Sequence, residues 1–389
     1  MNGIFAVYKP SGVSSASFLQ DVQDVFTKSS VFEPHLEAAK NAVRFNLGTN
    51  KRMSKEKIEK KANQLKVKIG HGGTLDPLAS GVLVVGVGSG TKKLSHYLLE
   101  CEKTYEAKAL FGISTTTGDS EGEIITQNAI DHITKEAINE TAKKFIGDLK
   151  QTPPIFSSLK VNGKPLYEYA REGIPLPTAI KVREVKVKDF KIFEEDSLRT
   201  DHEFKKLESE LDENGVPKEH GLANNPTLND SPLYFSTQYL EEAQKNNLPT
   251  EVGNPRQLKE NESLPEKLPL VHFIADVSSG TYIRSLISDF GRALESSAYM
   301  VELIRKKQSE WELGKNVFTI EDFTTRDEKV WGPVLEKVLE LGGDINVAKA
   351  FEEATAKLKA KEVSDSVEVE TTEADGSDVS KKRPISEVE

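Results

Sequence analysis

The chain has 389 residues, 29% charged and 37% hydrophobic, enough for a sizeable core in one large domain or two ordinary ones. One cysteine, Cys101, excludes an intramolecular disulfide and a cysteine-based zinc site, and no apolar run approaches the roughly 20 residues that span a bilayer. The net charge of −10 is unevenly placed. Residues 195–268 carry 16 acids against 8 bases and residues 361–389 carry 9 against 4, so the remainder is +3 and open to an anionic partner.

In chain order, the N-terminus "MNGIFAVYKPSG" has neither a secretory signal nor an Arg-rich leader and reads as a strand entering a turn. "SASFLQDVQDVFTK" sets Phe18, Leu19, Val22 and Val25 at helical spacing behind serines able to cap. Residues 29–68 form a basic insertion, helical in part. "GVLVVGVG" (Gly81–Gly88) is a buried strand, "TKKLSHYLLE" has helical spacing, and "KTYEAKALFGIST" alternates as a strand. "TKEAINETAKKFIGDL" predicts an amphipathic helix ending at Gly147. Residues 195–268, rich in Pro, Asn and acid, predict a long acidic insertion, mobile in places and solvated. "LVHFIADVSSGTYIRSLISDFGRAL" resumes as strand, turn and helix, and "YMVELIRKKQSEWEL" as a strand. The expected organisation is one elaborated domain over 1–350 and an acidic, disordered tail over 351–389.

The densest stretch is "GHGGTLDPLASGVLVVGVGSGTK", Gly70 to Lys92. Pro77 disfavours helical backbone at Asp76, and Gly70, Gly72 and Gly73 let a ligand come close. A buried strand behind would hold such a loop rigid, as a working carboxylate requires. "GVGSGTKK" fails as a phosphate loop, because Thr91 stands where GxxxxGK[ST] needs glycine. Tyr282 and Arg284, two apart, share one face if the backbone is extended, and an arginine beside a carboxylate would keep it ionised. A structural salt bridge explains that spacing equally well. Asp119, Glu121 and Glu123 lack metal-loop spacing and read as a turn, so no metal is expected. His71 stands alone in the glycine loop. Between Gln151 and Gly173, Lys160, Lys164 and Arg171 interleave with Phe156, Tyr167 and Tyr169, a pattern suited to phosphates and bases but also to a solvated loop.

Taken together, "KPSG" (Lys9–Gly12), "GHGGTLDPLASGVL" (Gly70–Leu83), "KTYEA" (Lys103–Ala107), "GTYIRSL" (Gly280–Leu286) and "ELIRKKQ" (Glu302–Gln308) resemble the motifs of the TruB family of pseudouridine synthases, in order. The resemblance covers most of residues 1–195 and 269–330. It implies an α+β (α/β mixed) pseudouridine synthase fold: a central, largely antiparallel mixed sheet flanked by helices and loops, here with two long insertions. It implies a tRNA pseudouridine(55) synthase acting on the T arm by base flipping, without cofactor, metal or guide RNA. Asp76 would be the catalytic aspartate, attacking sugar C1′ or uracil C6. Tyr105 would stack on the base and help remove the C5 proton, and Arg284 would pair with Asp76. Tyr282 would flank the base, His71 would stack with the displaced nucleotide, and Leu303 would line the pocket. Lys9 and Pro10 would support the site from below, and Lys160, Tyr167 and Arg171 would meet RNA.

Two other readings stand beside this one: a tRNA-binding folding chaperone, and a guide-dependent RNA pseudouridylase. "PLASGVL" and the lack of a recognisable PUA domain favour the stand-alone enzyme. The resemblance implies nucleus and mitochondrion, with cytoplasm as a further compartment; a monomer is the default expectation, and T-loop-like messenger RNA hairpins are a further candidate partner. No membrane partner is expected.

Overall fold

The structure, a computed structural model, describes residues 1–49, 53–208, 222, 224–259 and 261–374, with backbone alone from 365. Strand β1 (Gly3–Lys9) leads to α1 (Ser15–Lys28), which Ser14 caps by accepting from Ser17 N and which buries Phe18, Val22 and Phe26 along one stripe. The basic insertion folds as a helical hairpin, α2 (Glu33–Gly48) and α3 (Lys55–Asn63). There follow β2 (Ile69–His71), the glycine loop, the fully buried β3 (Ser80–Val87), a 3-10 turn over Gly88–Lys93, α4 (Leu94–Leu99) and β4 (Lys103–Phe111). A small hairpin of β5 (Ile113–Thr115) and β6 (Ile124–Gln127) precedes α5 (Lys135–Lys143) and β7 (Gly147–Gln151). A satellite lobe holds β8 (Lys160–Val161), β9 (Lys164–Pro165) and α6 (Leu166–Arg171). The chain continues through β10 (Arg183–Ile192), α7 (Thr237–Asn246), β11 (Leu270–Val277), α8 (Ile283–Ala293) and β12 (Ala298–Gln308). It closes with β13 (Trp311–Glu312), β14 (Val317–Phe318), α9 (Glu321–Thr324), α10 (Glu328–Leu341) and α11 (Val347–Ala374).

The main sheet runs β14-β1-β3-β12-β4-β11-β10-β7, with β2 on β3 and β13 on β12. Only β1/β14 and β3/β12 are parallel; the other pairs are antiparallel, which is the mixed α+β sheet the motifs imply. Two apolar clusters brace it. Phe5, Val82 and Val84 meet α1, α10 and α11, where Phe26 stacks on Phe32 at 4.7 Å and lies 6.0 Å from Trp331. Ala107, Phe273 and Val187 meet α5 and α8 through Ile138, Phe290 and Phe145.

Three expectations need correction. Helix α5 stops at Lys143, and Gly147, at φ +129°, opens β7 instead. The acidic insertion is not a solvated appendage where it is described. Leu264 and Leu268 are buried with Leu110, Ile113 and Tyr299, Phe235 packs edge-on to Phe145 at 5.6 Å, and Ser236 N donates to Lys144 O. Its apolar anchors are few but evenly spread, so composition concealed them; residues 209–221, 223 and 260 lie outside the described residues. Nor does the fold end at 350. Phe351 on α11 is 4% exposed, packs 5.8 Å from Phe318 and carries the Arg326 guanidinium 4.3 Å over its ring. The tail residues 375–389 lie outside the described residues.

Candidate active site

The glycine loop is the splayed end of a hairpin. β2 pairs with the far half of β3 (Ile69↔Val87, Gly70↔Gly86, His71↔Val85), but at Ser80 and Gly81 the partner of β3 is β12 (Ile304↔Ser80, Arg305↔Gly81). Residues between His71 and Ser80 therefore leave the sheet. Gly81 permits this exchange: its φ is +111°, and a Cβ there would lie 2.3 Å from Arg305 O.

Asp76, its side chain 34% exposed, stands on this loop. The turn after β1 holds the loop in place. Fully buried Lys9 donates through Nζ to Val13 O (2.7 Å), Pro10 O (2.8 Å) and Pro77 O (3.4 Å). Gly12 N donates to Pro77 O (2.8 Å), Ser11 Oγ to Leu78 O (2.6 Å), and Ser15 Oγ bonds both N and O of Leu75 at 2.8 Å. Burial pushes the Lys9 ammonium down to about 8 against the opposing pull of Asp76.

Arg284 departs from the extended Tyr-x-Arg geometry read in the sequence. Tyr282 is extended (φ −101°, ψ 114°), but it is the N-cap residue of α8, and Arg284 lies in the first helical turn. Polar groups of neighbouring loops, not a strand face, aim its side chain. Nη1 donates to Thr117 O and Nη2 to Phe156 O, both at 2.7 Å, while Nε stands 2.9 Å from Asp76 Oδ2 and 3.8 Å from Asp119 Oδ2. Burial alone would lower the guanidinium's pKa; Asp76 and then Asp119 hold it above the ordinary value. Asp119, in the turn dismissed as a metal loop, is thus part of the site, its Oδ1 accepting from Thr117 Oγ1 (2.6 Å) and Glu121 N (3.0 Å). Among the described residues no group of three or more His, Cys, Asp or Glu could hold a metal ion, and no helix is long and apolar enough to cross a membrane.

Strand register places the remaining groups. Gly81, Arg305, Tyr105 and Ala275 form one row across β3, β12, β4 and β11. Arg305, 1% exposed, donates Nε–H to Val82 O (2.7 Å) and Nη2–H to Gly73 O (3.0 Å), and Nη1 lies 3.5 Å from the Tyr105 hydroxyl. Gln308 Nε2 donates to Gly72 O at 2.6 Å. These two residues were legible only as letters of "ELIRKKQ"; their role as underpinning for the glycine loop needs the register. Leu303 faces Ala107 of β4 and shares an apolar cluster with Leu75, Ala79 and Tyr105. Half-buried His71 ends β2, and burial, then Arg305, lower its pKa. The backbone of Tyr282 is clamped by Gln151, which accepts from its N–H (2.8 Å) and donates to its carbonyl (3.1 Å), while burial raises its phenol. Lys160, Tyr167 and Arg171 sit on the satellite lobe, with the Arg171 guanidinium 5.2 Å over the Tyr167 ring. No hydrogen bond or ion pair among the described residues joins those three to the Asp76 loop. The segment leading into the lobe meets the centre through Gln151, through Phe156 O and through Thr152 O, which accepts from Ser285 Oγ.

Asp76, one third exposed, thus stands on a loop pinned by the turn after β1, with its carboxylate 2.9 Å from the buried Arg284 guanidinium. Residues 56–209 match the family model described as TruB family pseudouridylate synthase (N terminal domain). The chain is 48% identical over 370 residues to tRNA pseudouridine synthase 4 of Saccharomyces cerevisiae, covering 92% of this chain and 90% of that protein. It is 40% identical over 347 residues to tRNA pseudouridine synthase 4 of Schizosaccharomyces pombe, covering 83% and 82%. Among solved structures it is similar to a chain of a Cbf5-Nop10-Gar1 complex, at TM-score 0.42 and 19% identity over 90% of this chain and 59% of that one. The chain belongs to the TruB family of pseudouridine synthases.

Proposed function

We propose that the protein converts the T-loop uridine at position 55 of tRNA to pseudouridine, as a monomer, through Asp76 and without cofactor or guide RNA. The observation that carries the mechanism is the Asp76 carboxylate held 2.9 Å from buried Arg284 while one third exposed to an incoming ligand. The names of the relatives support tRNA as the substrate.

A nucleotide must leave its stack to reach this loop. The glycines serve packing beneath the loop and not room for a ligand: a Cβ at Gly72 would lie 2.7 Å from Tyr97 Cβ, and one at Gly73 3.4 Å from Gln308 Nε2. Asp76 attacks the flipped nucleotide, at sugar C1′ or at uracil C6, and the N1–C1′ bond breaks. The uracil turns and C5 bonds to C1′, the bond between Asp76 and the nucleotide breaks to free the carboxylate, the C5 proton leaves and N1 gains one, so the product is an isomer and nothing is consumed. Tyr105 stacks on the base and assists at C5; Tyr282 and Leu303 keep the ring in place, and His71 meets the displaced neighbour. Arg284 fixes the orientation of the nucleophile before the substrate arrives, which is how a positioned group lowers the barrier. Hairpins in messenger RNA that share the T-loop shape would be accepted by the same geometry.

The test is tritium release from unmodified tRNA labelled as [5-³H]uridine, with wild type and Asp76→Asn. Release at the T-loop uridine by wild type alone is expected. Release by the Asp76→Asn protein, or none by either, sinks the reading.

A further inference from the structure

The α2–α3 hairpin plays no part in the site, and its charge opposes that of the chain. Residues 29–68 carry ten Lys and Arg against four Asp and Glu, a balance of +6 in a protein of −10. Folding sorts these charges. Where the two helices meet, Glu37 and Glu59 neutralise Lys40 and Arg44, with Lys40 2.6 Å from Glu37 and Arg44 2.7 Å from Glu59. Ile58 and Ala62 form the buried stripe of α3. At about 100° per residue, Lys57, Lys60 and Lys61 fall in one arc on the opposite side. All three are exposed and have no carboxylate partner among the described residues. Like charges at this spacing repel and weaken a helix, and among the described residues no ion pair offsets them.

The track points toward the site. From α3 the chain passes exposed Lys68 into β2 and ends at His71, three strand residues or about 10 Å further on. Lys68 O accepts from Gly88 N at 2.8 Å, which sets the Gly88–Lys93 turn, with exposed Lys92 and Lys93, beside β2. Lysines are point charges without the planar fork that reads bases, and no apolar or aromatic side chain interrupts the α3 face. Such a face fits a phosphate backbone rather than a protein partner.

We infer that this lysine face is a second RNA-binding surface, which takes backbone phosphates of the tRNA outside the T arm while the T-loop uridine occupies the Asp76 site. The inference rests on the tRNA reading above and names a contact that reading does not contain. It is tested by equilibrium binding of unmodified full-length tRNA and of an isolated T-arm hairpin across salt concentration, with wild type, K57A/K60A/K61A and K57R/K60R/K61R. Alanine keeps helix propensity, so α3 should remain folded. The alanine variant should bind full-length tRNA about tenfold more weakly near 0.1 M salt, with a slope of log affinity against log salt shallower by about two to three. The arginine variant should keep the wild-type slope, and hairpin binding and the rate at saturating RNA should be unchanged in both. Unchanged affinity and slope for full-length tRNA, or equal losses on both RNAs, overturn the inference. Absence of pseudouridine with wild type would instead overturn the reading of the Asp76 site, because the binding comparison involves no turnover.

Discussion

Arg284 Nε stands 2.9 Å from Asp76 Oδ2 and 3.8 Å from Asp119 Oδ2, but the two carboxylates face different surroundings: Asp119 is 4% exposed and Asp76 34%. One arginine is thus a structural partner to the buried acid and a clamp on the accessible one. Arg284→Lys keeps the charge but cannot span Asp76, Thr117 O and Phe156 O at once. Single-turnover modification should fall by about 10²-fold with tRNA affinity nearly unchanged. Arg284→Met should also cost about 3–5 kcal/mol of stability, because it strands a buried carboxylate. A rate for Arg284→Lys within a few-fold of wild type would show that the clamp does not matter to the chemistry.

Gly81 carries a different kind of constraint. Its φ of +111° and the 2.3 Å approach of Arg305 O to a hypothetical Cβ leave no room for alanine. Gly81→Ala must push β12 away from β3, and with it the Arg305 support under Gly73. Backbone strain and overpacking each cost about 1–3 kcal/mol, so a loss of at least 2 kcal/mol is expected in urea unfolding. Because the loop above loses its floor, modification should fall more than the folded fraction does.

The parts of the site that are contiguous in sequence were legible: the glycine loop with Asp76, the Tyr105 strand and the Tyr282–Arg284 pair. The glycine loop announces itself through backbone chemistry, with glycines around a carboxylate and proline after it, whereas Tyr105 stands out only through the family resemblance and the Tyr282–Arg284 spacing fits a structural salt bridge equally well. Asp119 and Arg305 were not, because their significance arises only when register and helix placement bring them to Asp76 and Gly73. Arg284 shows the limit of periodicity: a spacing of two fits an extended face, yet the helix begins one residue before it. Composition misled at the acidic insertion and at α11, where a few apolar side chains dock segments whose average looks unfolded.

Phe351 tests that last point. It is buried against Phe318 and caps Arg326, although the sequence from residue 351 onward reads as a disordered tail. Phe351→Ala should destabilise the protein by about 3–5 kcal/mol in chemical denaturation. A change below 1 kcal/mol would mean that α11 does not belong to the folded core.

Lys9 predicts opposite pH dependences for stability and for activity. Its folded pKa, about 8, is depressed by burial below the ordinary 10.5. Below pH 8 the ammonium is present in both folded and unfolded chains, and the burial cost is fully felt. Between pH 8 and 10.5 the folded protein has shed a proton that the unfolded chain retains, so stability rises with pH across that window. The ammonium, however, supplies three donors to Val13 O, Pro10 O and Pro77 O, and the neutral amine supplies only two. Loss of one relaxes the turn that holds the Asp76 loop, so the rate at saturating tRNA should fall above pH 8 while stability climbs. Lys9→Met should be slower at pH 7 and should lack both dependences. The measurement is a pair of profiles, urea midpoint and single-turnover rate from pH 7 to 10, for the two proteins. Parallel profiles in wild type and variant would place the ionisation elsewhere.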